Sequence, residues 1–364
     1  MKLIFLIDSN RKIGGGSYAQ YVFAKHLAKL GHQVTIFAGD KNFYSSNIDH
    51  NNLEVYYRST IPKITKGIGL GKLNRWWSWF YEWRVIRPYV RNHQPDWIIG
   101  YLHQSAIDAV SLGSRFRVKV ANFVYETPEW MEAQLGIQWN EKEKRYFNEH
   151  KTAYENSTIL IPNSKLAASY MRRWIPEVTV TQPVYPGINP IDVTSTTRDY
   201  DIIYVGRLHK LKNVDQLLKA CKPEHKIAII GNGEEMSSLK EIATQAMLNV
   251  DFLGSVSDQA KWEYLSRSKL LVCPTRFEGF GMPPLEALTC GCKVLCSNIP
   301  ILKEVYGSDV EYFELDDIED LSTRIEQLLS TNHVKKSNLP QVYTWENAAN
   351  TIEKILLEHN LNPG

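Results

Sequence analysis

Residues 200–206 read YDIIYVG, and RLHKLKN follows at 207–213. The apolar run is too short for a helix and is bounded by turn signals on both sides, so it predicts a strand buried on both faces. Before it lie a turn-forming QPVYPGINP (182–190) and a polar stretch ending at Arg198. A strand that restarts after such a break marks a second domain. Downstream the signal recurs as KIAIIG (226–231), VDFLG (250–254), KLLVCP (269–274) and CKVLCS (292–297), with helix-length segments between. Upstream it appears as KLIFLI (2–7), HQVTIFAG (32–39), DWIIGYL (96–102), KVANFVY (119–125) and TILIPNS (158–164). Strands alternating with helices imply an α/β class of parallel sheets covered by helices.

The expected architecture is two tandem Rossmann-like domains facing a central cleft, with strand C-terminal loops turned toward it. The break near 186–198 divides the chain into 1–190 and 191–345. Residues 346–364 are expected to form a C-terminal helix packing back toward the first domain. A length of 364 residues suits two cores, and 43% hydrophobic with 23% charged residues is ordinary for a folded chain.

No window approaches the roughly 18 apolar residues of a membrane span, and MKLIFLID meets Asp8 too early for a signal sequence. A cytoplasmic protein is expected. Five cysteines without C-x-x-C spacing point to reduced thiols and no zinc site. The net charge of +2 is unevenly spread. Residues 1–180 hold 24 basic and 15 acidic side chains, the remainder 18 and 25. The first half is therefore suited to an anionic neighbour such as nucleic acid, a phosphorylated substrate or a membrane surface.

Two loops at strand ends carry chemistry. FEGFGMPPLE (277–286) follows the strand KLLVC, and its prolines suit the start of a helix, which would put Glu286 in the first helical turn. Glycines there let backbone N–H groups approach a ligand, and a helix N-terminus favours phosphate. Taken alone, the segment is equally a tight loop with a capping glutamate. The second loop, GRLHKLKN (206–213), places Arg207 and Lys212 five residues apart on the same side of the sheet, where two cations can neutralise a diphosphate. A lone pair of that kind is usually solvated surface, so the combination of the two loops carries the weight.

These two segments, with FEGFGMPPLEAL carrying glutamates separated by seven residues and the early GGGSYAQYVFAKHLAKLGHQVTIFAG, resemble family 4 of the retaining glycosyltransferases. Smaller echoes are IIGNGEE, VDFLGSVSDQAKWEYLSRS, SNIPILKEVYG and TWENAA. The likeness is ordered over about 200–350, moderate over 1–40 and thin over 45–160. It implies the two-domain fold called GT-B and a nucleoside diphosphate sugar, UDP- or GDP-hexose, bound mainly to the second domain. Arg207 and Lys212 would hold the donor diphosphate, Glu278 the sugar hydroxyls and Glu286 the ribose hydroxyls. Gly14, Gly15 and Gly16 match the glycine-rich first loop. The backbone near Ser255 and Val256 would meet the base, and Gly279, Phe280, Gly281 and Met282 complete the donor loop.

Many family members carry a His-Asp pair after the strand that here reads KVANFV, where this chain has Tyr125 and Glu126. Glu126 either contacts donor sugar or acceptor, or the two residues cap the helix suggested by TPEWMEAQ. Breaking a bond from anomeric carbon to phosphate leaves charge on the diphosphate, which fixed cations and N–H dipoles stabilise. A departing phosphate oxygen can take the acceptor's proton, giving same-face attack with retention. No carboxylate nucleophile is then needed, which separates Glu278 from the paired acids of glycosidases. No metal is expected, since no Asp-x-Asp ends a strand.

Between Arg58 and Arg91 lie six further basic residues against one acid, with RWWSWFYEW at 75–83. Tryptophan beside basic residues suits a bilayer interface or a stacking surface, while Trp76, Trp79 and Trp83 at helical spacing suit a core equally well. The first reading implies a glycan or lipid-linked acceptor reached at the cytoplasmic face of an anionic membrane. No nucleic-acid recognition pattern accompanies the charge. The leading expectation is a metal-independent retaining hexosyltransferase of polysaccharide biosynthesis. A noncatalytic nucleotide-sugar-binding or scaffold subunit, or a nucleotide-sugar epimerase, stands as the alternative.

Overall fold

The computed structural model describes residues 1–7, 15–38, 50–57, 81–101, 103–188, 197–331 and 337–361. The chain divides into two compact units. The first comprises Met1–Glu129, Gln138–Val184 and Trp345–Gly364, and the second Trp130–Ile137 and Tyr185–Thr344.

The first unit holds strands β1 (Lys2–Ile7), β2 (Gln33–Ala38), β3 (Leu53–Tyr57), β4 (Trp97–Tyr101), β5 (Lys119–Val124), β6 (Ile159–Pro162) and β7 (Thr179–Val180). They form one sheet in the order β3-β2-β1-β4-β5-β6-β7, with parallel pairing throughout. Registers such as Lys2↔Gln33 and Leu3↔Trp97 bury the runs read from sequence on both faces. One face packs Ile4, Leu6 and Ile98 against Ile86, Val90, Ala109 and Leu112 from the covering helices. The helix Trp345–Leu361 completes this unit. Its Trp345 ring meets Phe23 edge-on at 5.5 Å, Glu353 accepts from His32 Nε2 at 2.8 Å, and Lys119 Nζ donates to the His359 carbonyl at 2.6 Å.

The second unit holds β8 (Tyr200–Val205), β9 (Lys226–Ile230), β10 (Asn249–Gly254), β11 (Ser268–Cys273), β12 (Lys293–Ser297) and β13 (Glu311–Phe313), ordered β10-β9-β8-β11-β12-β13 and again parallel. Its core sets Ile202, Ile227, Leu270 and Leu295 against Leu217, Leu218, Leu321 and Ile325, all fully buried. Each such side chain contributes roughly 1.5–3 kcal/mol over its exposed state. Both sheets are therefore the Rossmann-like sheets expected. In each, chain order reverses beside the first strand, at β1/β4 and at β8/β11, and such switch points open a crevice at the strand C-termini. All five cysteines are free, and burial pushes the Cys292 thiol up to about 12, a poorly reactive state.

Candidate active site

At the β8/β11 switch point the loops GRLHKLK and PTRFEGFG emerge side by side. Arg207 is exposed, and its guanidinium has no hydrogen-bond or ion-pair partner among the described residues. Its carbonyl accepts from the buried Tyr204 hydroxyl at 3.0 Å, which fixes the turn. The chain then makes a 3-10 turn over Lys210–Lys212 and passes through Asn213 in the left-handed region (φ 56°) before the helix Val214–Ala220. Asparagine tolerates that conformation better than most side chains.

Lys212 Nζ is 2.5 Å from Glu278 Oε1 and donates to the Phe277 carbonyl at 3.1 Å. Residues 66 apart in sequence thus form a mostly buried ion pair, at 19% and 18% side-chain exposure. Thr275 locks the two loops together. Its hydroxyl lies 3.1 Å from the Leu211 carbonyl and 2.8 Å from that of Phe277, and the Arg276 amide donates to Leu211 O at 2.8 Å. From Trp130–Ile137, Gln134 Nε2 donates to the Arg276 carbonyl at 2.7 Å, and the Trp130 ring centres 5.1 Å from that of Phe277.

The helix Met282–Thr289 begins at Gly281, whose φ of 86° and ψ of 73° a side chain would strain, and where a Cβ would come 2.8 Å from Leu302 Cδ2. The buried Tyr306 hydroxyl donates to the Gly281 carbonyl. Among the described residues nothing accepts the amides of Phe280, Gly281 or Met282, which leaves them as unpaired donors at the helix start. The Phe280 side chain turns away from that space into an aromatic group with Tyr185 and Tyr343, leaving only its backbone for a ligand. Glu286 stands at the fifth helical position, beyond the first turn expected from sequence, because the helix starts at Met282 ahead of both prolines. Its Oε1 lies 2.6 Å from Lys261 Nζ.

Neighbouring loops meet by backbone contact. Gly206 N donates to Ile230 O, Leu208 N to Asn232 O and Gly231 N to Gly254 O, at 2.8–3.0 Å. A Cβ on Gly231 would stand 1.8 Å from Gly206 O, and one on Gly233 1.9 Å from Leu208 O. Asn232 Nδ2 donates to Ser255 Oγ at 2.9 Å, which anchors the turn of Ser255 and Val256. The second unit therefore brings together Arg207, Lys212, Glu278, the 279–282 backbone and Glu286 around two adjacent loops, with Ser255 and Val256 on a tethered third.

In the first unit, Gly15 starts the helix Gly15–Lys29 with no described residue within 4 Å of its Cβ position, while a Cβ on Gly16 would overlap the Tyr101 hydroxyl. Gly14 lies outside the described residues, as do residues 58–80 of the aromatic and basic segment. The Tyr125 hydroxyl accepts from Gln20 Nε2 at 3.0 Å, its ring packs 4.9 Å from Tyr101, and burial raises its pKa against that hydrogen bond. Glu126 is half-buried, close enough to add to the burial that raises the Tyr101 and Tyr154 pKa values.

Sequence reasoning did not find Lys261, Thr275 or Tyr306. Lys261 sits 25 residues from its partner, and Thr275 and Tyr306 act through backbone carbonyls, so no spacing signals them. Among the described residues no group of three or more His, Cys, Asp or Glu is placed to hold a metal ion.

Comparison with known proteins places this geometry in context. Residues 191–343 match glycosyl transferases group 1. An uncharacterized glycosyltransferase of Methanocaldococcus jannaschii is 23% identical over 227 residues, covering 59% of this chain and 63% of that protein. O-antigen chain mannosyltransferase B of Escherichia coli is 28% identical over 161 residues, 40% of this chain and 42% of that one. The matches thus span less than two thirds of these relatives' lengths. Among solved structures, sucrose-phosphate synthase from Thermosynechococcus elongatus superposes with a TM-score of 0.81 at 19% identity, covering 98% of this chain and 99% of that one. Anabaena HepE in complex with UDP and glucose gives 0.75 at 16% identity, covering 98% and 100%. At these identities the structural likeness is one of fold.

Proposed function

We propose, from the match of residues 191–343 to the glycosyl transferases group 1, that the protein transfers a hexose from a nucleoside diphosphate sugar to a sugar or lipid-linked glycan acceptor, with retention of configuration. The observation that carries the reading is the pairing of an exposed Arg207, unpartnered among the described residues, with the locked Lys212–Glu278 loops beside a proline-bearing helix start. Arg207 and Lys212 take the donor diphosphate, and the free amides of 280–282 add dipoles beside it. Glu278 accepts from sugar hydroxyls and Glu286 from the ribose.

As the bond from anomeric carbon to phosphate breaks, its electron pair goes to the diphosphate. The cations are already in place, so their stabilisation grows with the developing charge and costs no reorganisation. The acceptor oxygen bonds to the anomeric carbon on the face the diphosphate leaves, and its proton passes to the departing phosphate oxygen. Charge neutralisation falls to Arg207 and Lys212, so turnover is expected to persist in EDTA. In the first unit, Gly15, Gly16 and Glu126 are assigned to substrate contact.

We further propose peripheral action at the cytoplasmic face of an anionic membrane. Among described residues of the 58–91 segment, Trp83 is 47% exposed with Arg84 over its ring at 5.6 Å, a combination suited to an interface. No helix among the described residues is long and apolar enough to cross a membrane. Sedimentation with anionic vesicles tests this, and no binding would remove it.

The main reading is tested by thermal shift with UDP, GDP, ADP and their hexose conjugates on the native chain and Arg207→Ala. One base family should raise the melting temperature in the native chain and fail to do so in the variant, because ligand held only by the folded state stabilises it. No shift at millimolar ligand would overturn donor binding. A shift without turnover on any supplied acceptor would leave a noncatalytic binding subunit.

A further inference from the structure

Two carboxylates at a site for a nucleoside diphosphate pose an electrostatic problem, since each repels the ligand's phosphates. The structure answers it twice. Lys212 cancels Glu278, and Lys261 Nζ, at 2.6 Å, cancels Glu286, with side-chain exposures of 19% and 11% for the second pair.

The second pair does more than balance charge. Lys261 also lies 3.5 Å from Asp258 Oδ1, and its ammonium is 5.5 Å from the Trp262 ring centre. It rides on the helix Asp258–Ser266, capped by Ser257 directly after Ser255 and Val256. The lysine that grips Glu286 is thereby carried by the element opening at the turn assigned to the base. With Oε1 held by Lys261, Oε2 is the oxygen left to accept from a ligand.

We infer that Lys261 is a positioning residue of the ribose subsite, fixing the rotamer of Glu286 so that its second oxygen recognises the ribose hydroxyls. The inference rests on the assignment of Glu286 to ribose made above. Burial works to lower the Lys261 pKa, but Glu286 and then Asp258 outweigh it and the net shift is upward, so the ammonium stays charged at neutral pH.

Calorimetric titration of the full chain with UDP, GDP and their 2′,3′-dideoxy forms tests it. The native protein should prefer its better ribonucleotide over the dideoxy form about ten- to hundred-fold, the worth of a hydrogen bond to a charged group. Lys261→Met should narrow that preference to about threefold or less, while the dideoxy affinity falls only by the repulsion of the unmatched Glu286 carboxylate. A variant that keeps the preference overturns the role of Lys261 alone. A native protein without any preference overturns the assignment of Glu286 and the inference with it. Because Lys261→Met strands a buried carboxylate and can unfold the chain, Lys261→Met/Glu286→Gln is compared with Glu286→Gln. The two should show the same small preference for ribonucleotide over dideoxynucleotide. A preference that differs between the two would mean that Lys261 contacts the ribose itself, and the positioning role would fall.

Discussion

At the scale of single residues, the second unit depends on positions where a side chain has no room. Gly231 and Gly233 bring the β9 loop against the backbone of Gly206 and Leu208, and a Cβ there would meet carbonyl oxygens at 1.8 and 1.9 Å. Backbone cannot swing aside as a flexible side chain can, so Gly233→Ala should destabilise by about 2 kcal/mol or more, with a melting point lowered by about 4–8 °C. A melt within 1 °C of native, by scanning calorimetry, would show that the loop yields freely. Gly15 makes the contrast, since among the described residues nothing lies within 4 Å of its Cβ position. Alanine there should leave the melt nearly unchanged, and any loss would be in donor affinity.

At the scale of elements, ten strands were legible because parallel strands buried on both faces read as short apolar runs, and each run quoted from the sequence became a strand, while the short or half-exposed β3, β7 and β13 carried no such run. The two site loops were legible too, since glycine, proline and charge concentrate after β8 and β11. What stayed hidden was how those loops are held. Thr275 is an ordinary residue in sequence, yet its buried hydroxyl lies between the carbonyls of Leu211 and Phe277. Such a contact depends on where two distant segments arrive, which local pattern does not encode. Thr275→Val keeps the shape and removes the donor, so it should cost about 1–3 kcal/mol of stability and weaken nucleotide binding as the Lys212–Glu278 geometry loosens. Unchanged affinity in the calorimeter, alongside the lost stability, would confine Thr275 to a purely structural part.

At the scale of the whole molecule, acid acts on the first unit through its histidines. Burial lowers the pKa of His26, His32 and His150, assisted by Lys29 and Lys25 at the first and opposed by Glu353 at the second. Each takes a proton more readily when unfolded, so stability is full above the unfolded value of about 6.5 and declines as pH falls toward the folded values. Melting temperatures measured from pH 7.5 to 5.0 should therefore drop with an onset near 6.5, and a flat profile across that window would contradict the assignment. The return of the helix Trp345–Leu361 to the first unit has a consequence for biosynthesis. A ribosome delivers the seven strands of the first sheet early, but the helix that covers Phe23 emerges only after residue 344. The middle of the chain can fold while the beginning still waits with an apolar face open to chaperones, so the order of synthesis and the order of completion run opposite ways.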